Sequence, residues 1–87
     1  MKIVELINLD KKDIPLHYRN EYSGTAVFKT KTDERIEKKV EFVLERLATG
    51  EKEIEIDFLD DIEYPLLPLT NELKQHILEL DKKGKLP

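Results

Sequence analysis

No cysteine occurs among the 87 residues, and that absence removes disulfides, thiolate zinc sites and cysteine nucleophiles together. Serine is nearly missing as well. Ser23 is the sole example, and no G-x-S-x-G turn surrounds it to expose a nucleophilic hydroxyl. The glycines stand far apart, at positions 24, 50 and 84, so no glycine-rich loop can cradle a phosphate. Long apolar runs are lacking. A secretory signal needs about 7–15 apolar residues in a row and a membrane span about 20, whereas Met1 to Asp10 is broken by Glu5 and Asn8. A cytoplasmic protein that does not enter a membrane is therefore expected. Arginine is scarce too. It supplies three of the fifteen basic residues in a chain of net charge −4, which disfavours a nucleic-acid partner, since that contact usually needs a basic face.

Hydrophobic and charged residues each make up 39% of the chain, against a usual charged share of about 25%. Leu, Ile, Val and Phe together number 28, well above the level of about 20% below which high charge predicts disorder. The chain should fold as a single small domain, residues 1–87, with a modest core under a charged surface. The acidity is local. Residues 1–31 carry six basic and four acidic side chains, residues 32–63 five and twelve, and residues 64–87 four and three.

Lys2 to Leu9 is rich in Ile, Val and Leu but alternates poorly, as a strand covered on both faces does. Asp10 to Gly24 has loop composition, with Ile14, Pro15 and Leu16 expected to pin it to the core. Thr25 to Lys31 suits a strand. Asp33 to Ala48 has two readings. As a helix, Ile36, Val40, Val43, Leu44 and Leu47 fall within an arc of about 100°. Thr32 or Asp33 then caps it and Gly50 ends it. As a strand, Ile36, Val40, Phe42 and Leu44 share one face opposite Glu37, Lys39, Glu41 and Glu45. Because Glu, Lys, Arg and Leu favour helices, helix is the preferred reading. Glu51 to Leu59 alternates cleanly, with Ile54, Ile56 and Phe58 on one side. Thr70 to Lys83 is the clearest helix, with a stripe of Leu69, Leu73, Ile77 and Leu80 and a stop at Gly84.

The expected fold is α+β in two layers, β-β-α-β-α, with a three-stranded sheet, a right-handed crossover and two helices. The alternative makes residues 35–46 a strand, giving a four-stranded antiparallel meander that carries one C-terminal helix.

Chemistry-bearing residues gather in few places. Glu53, Glu55 and Asp57 share one strand face, about 7 Å apart. A solvated ladder opposite Lys29 and Lys31 is the plain account of them, and a basic partner or a loosely held cation the sharper one. Asp60, Asp61 and Glu63 follow the strand as a charged exit turn, without the glycine turn of a calcium loop. His17, with Tyr18, Arg19, Glu21 and Tyr22, concentrates titratable groups in one loop. His17 and His76 are the only imidazoles. A metal site joining them to Asp60 or Asp61 has no local ligand spacing behind it. Tyr64-Pro65-Leu66-Leu67-Pro68-Leu69 reads as an extended apolar connector, because each proline restricts the residue before it. Its P-x-x-P lacks the basic flank that SH3-type modules read, and its apolar side chains are too many to bury easily.

These observations favour a non-catalytic protein-binding or assembly module, with self-association among the options and no cofactor or metal. The binding candidates are His17, Tyr18, Arg19, Glu53, Glu55, Asp57, Tyr64, Leu66 and Leu67. The competing reading is a small metal-assisted or acid–base enzyme, using the His17 loop with carboxylates near Asp60.

Overall fold

The computed structural model describes residues 1–87. Four strands run in chain order across one antiparallel sheet: β1 (Lys2–Lys11), β2 (Arg19–Lys29), β3 (Arg35–Arg46) and β4 (Lys52–Phe58). One helix, α1 (Leu66–Lys82), follows. The class is α+β in two layers, but the three-stranded sheet with two helices is corrected. Residues 35–46 form β3, so the alternative meander is the architecture, and no parallel crossover exists.

Core formation explains why strand wins over helical propensity in β3. A helix would leave Phe42 in solvent. The strand sets Val40, Phe42 and Leu44 on one face, each at most 1% exposed, and stacks Phe42 on Tyr22 with ring centroids 5.0 Å apart. Its outward face carries Glu37, Lys39, Glu41 and Glu45, where propensity is a weak constraint. The residues that resemble helix caps serve the hairpins instead. Asp33 takes a left-handed conformation in the β2–β3 turn (φ 62°), where the Thr30 hydroxyl accepts the Glu34 N–H. Gly50 (φ 89°) closes the β3–β4 turn, with its N–H donating to Leu47 O.

β1 alternates poorly for a different reason than burial on both sides. Its register with β2 slips between Ile3 and Glu5 and again between Ile7 and Asp10. Each β-bulge adds a residue, so apolar residues spaced by three, Ile3, Leu6 and Leu9, all pack on the same core. Asn8 adopts φ 54° at the second bulge, a conformation Asn tolerates better than most residues. Leu9 then crosses Gly24 so closely that a Cβ there would stand 2.9 Å from its Cδ2.

α1 lies on the face formed by Ala26, Phe28, Val40, Phe42, Leu44 and Ile54, burying Leu69, Leu73 and Ile77. It begins at Leu66, with Pro65 as N-cap and no side-chain cap. The expected cap at Thr70 and the extended conformation expected of Leu67 are corrected accordingly. Pro68 falls in the first turn, where a missing N–H costs no helical bond. Leu78, not Leu80, continues the core contact. No helix is long and apolar enough to cross a membrane.

Candidate functional site

α1 covers one face of the sheet and lies against β1 more extensively than against β4. That offset leaves a groove between β4 and the helix. One depression of about 390 Å³ lies between Lys52–Glu55 of β4 and Lys74, Gln75 and Leu78 of α1. A second, of about 420 Å³, lies between Ile56, Asp57 and Phe58 and the approach to the helix at Ile62, Leu66 and Thr70. At this end of the groove the apolar connector expected from the sequence stands in solvent. Leu59 is 55% exposed, Tyr64 40%, Leu66 53% and Leu67 71%.

Sheet register places the acidic stripe beside the same groove, though not against the cations expected. Lys29 faces Lys2 and Arg35, and the strand ends before Lys31. Across from Glu53 and Asp57 stand Glu45 and Glu41, and across from Glu55 stands Val43. The cations of this face are already committed. Arg19 lies 3.3 Å from Glu21 and 3.5 Å from Glu45, and Lys12 lies 3.5 Å from Glu41. None of the ion pairs includes Glu53, Glu55 or Asp57. The open sheet face therefore keeps an uncompensated acidic margin along β4.

The other sequence candidates lie apart from this groove. His17 and Tyr18 remain in the exposed β1–β2 connection, where His17 lines an open depression with Lys12, Asp13 and Leu16. Arg19 belongs to β2, not to the loop. The Arg46 N–H donates to Tyr18 O, while the Lys39 N–H donates to Asp60 Oδ2 at 2.7 Å. These two anchor points are seven residues apart on β3, about 23 Å at the usual strand rise. His17 and Asp60 thus sit at opposite ends of one strand. Asp60 is occupied in holding the edge turn, and Lys38 Nζ donates to Asp61 O beside it. No group of three His, Asp or Glu residues converges as a metal site would require.

Two titrations are displaced, both by burial. Tyr22 is raised above its ordinary value by burial and then by the nearby Asp81 carboxylate, against the opposing Arg46. His76 is lowered by burial and by Lys83, against Glu79 and Glu72. Tyr22 lies beneath the C-terminal tail, its hydroxyl donating to Pro87 O at 3.3 Å. Asp81 pairs with Lys52 and, at 3.9 Å, with Arg46. Both groups are explained by the joining of helix end to sheet. This link between residues 22, 81 and 87 had no local sequence signal.

The family model described as the BB_0187 family matches residues 1–82, and the chain belongs to that family. No curated protein and no solved structure matches it.

Proposed function

We propose that this chain is a non-catalytic protein-binding module of the cytoplasm, and that its docking surface is the margin formed by β4 and the first turn of α1. The observation that carries this reading is the exposure of Leu59, Tyr64, Leu66 and Leu67 together at one end of the groove. Scattered apolar residues are ordinary on a surface, but grouped ones rimmed by charge mark interaction sites. The rim here is Asp57, Asp60 and Asp61. Glu53 and Glu55 extend the same sign along β4. Such a surface suits a partner that offers apolar side chains and positive charge. The cysteine-free sequence is in keeping with a reducing compartment.

The test is affinity capture from the native host with the unmodified chain and with L66D/L67D. Carboxylates in a helix's first turn suit its dipole, so the double variant keeps its fold. A partner held by the unmodified chain and lost from the variant is the expected result. The same proteins on both, or none on either, contradict the reading.

A further inference from the structure

The two edges of the sheet are unlike. β1 is interrupted by two bulges, a common means of preventing another strand from adding. β4 pairs with β3 in unbroken register from Lys52 to Phe58 and contains no proline. Its hydrogen-bond phase is set at both ends, where the Leu47 N–H donates to Glu51 O and the Leu59 N–H to Lys39 O. Bonded partners recur at every second residue of an antiparallel pair. Glu53, Glu55 and Asp57 therefore bond to β3, and Ile54, Ile56 and Phe58 turn their N–H and C=O groups to the open edge. Side chains divide the same way. Ile54, Ile56 and Phe58 point toward α1 and its groove, and the three carboxylates point to the opposite face.

We propose that β4 takes up an extended segment of a partner protein as a fifth strand, and that this segment alternates apolar residues with Lys or Arg. Its apolar side chains enter the groove between β4 and α1, where Leu66 and Leu78 receive them. Its cations lie beside Glu53, Glu55 and Asp57, which lack any partner in the chain. Backbone bonds to an edge supply affinity, and alternate side chains supply selectivity. A second copy of this chain joined through β4 is disfavoured, because carboxylates would stand directly beside carboxylates. The proposal rests on the docking reading above and specifies its chemistry.

The probe is a short labelled peptide alternating Val or Ile with Lys, titrated by fluorescence anisotropy. It is compared with a version carrying Glu for Lys and with a shuffled peptide of unchanged composition. Replacing three like-charge neighbours by three opposite ones predicts binding about ten-fold tighter for the Lys peptide than for the Glu peptide. I56P removes an outward N–H and leaves the β3 ladder whole, and it should abolish binding. E55K/D57K should reverse the preference between the two peptides, and it decides the matter even if I56P fails to fold. Equal binding of the shuffled peptide, or unchanged preference in E55K/D57K, overturns the proposal. A native partner that needs Leu66 and Leu67 but binds both β4 variants normally also overturns strand addition, while leaving the docking surface in place.

Discussion

Tyr22 joins three parts of the molecule through one side chain. Its ring stacks on Phe42 of the neighbouring strand, and its hydroxyl donates to the backbone of Pro87. Y22F keeps the ring and removes the bond, so a loss of about 0.5–1.5 kcal/mol in urea unfolding is expected at neutral pH. Because the folded-state pKa of Tyr22 is raised, the unfolded chain ionises first as pH climbs past about 10, and stability falls there. Y22F should show a shallower alkaline fall than the unmodified chain. His76 acts at the other end of the scale. Its lowered folded pKa means that the unfolded chain gains its proton first, so its contribution is present above about 6.5 and is lost as pH drops below. Unfolding midpoints for H76Q should depend less on pH between neutrality and mild acid. F42A removes a ring that is 1% exposed, at a cost of about 3–5 kcal/mol. That is a large part of the total of about 5–15 kcal/mol typical of small domains.

Among the elements, β4 and α1 were legible from periodicity, since each buries a regular stripe. Both difficult elements fail for identifiable reasons. In β3 the exposed half is Glu, Lys and Arg, whose helical preference counts for less than burial of Phe42 beside Tyr22. That pairing joins residues twenty apart in the chain and has no local trace. In β1 the bulges convert a spacing of two into a spacing of three, so alternation could not find its buried face. The acidic stripe of β4 was evident in the sequence, but its neighbours depended on strand order. Once β3 lies between β2 and β4, Lys29 and Lys31 cannot neutralise it. The bulge geometry itself is testable. G24A sets a Cβ 2.9 Å from Leu9 Cδ2 and 3.2 Å from Ile7 O, and overpacking of that kind costs about 1–3 kcal/mol. N8G should be tolerated, whereas N8A should lose about 1–2 kcal/mol for its left-handed backbone. Chemical denaturation of the three variants checks both.

The whole molecule is asymmetric. One sheet face is covered by α1 and the other carries charge, while one edge is bulged and the other is regular. Function is placed where the regular edge, the uncompensated carboxylates and the exposed leucines meet. Tyr64, Leu66 and Leu67 were recognisable from sequence as an apolar excess, and Glu53, Glu55 and Asp57 as a charged row. Their common location beside one groove came only from the offset of α1 toward β1. The direct measurement is residue-resolved amide hydrogen exchange with and without the alternating Lys peptide. Without peptide, the outward-facing amides of Ile54, Ile56 and Phe58 should exchange faster than those of Glu53, Glu55 and Asp57. With peptide, protection should rise at Ile54, Ile56 and Phe58. Protection on β1 or on the open face of the sheet, with those three amides unchanged, would contradict the account.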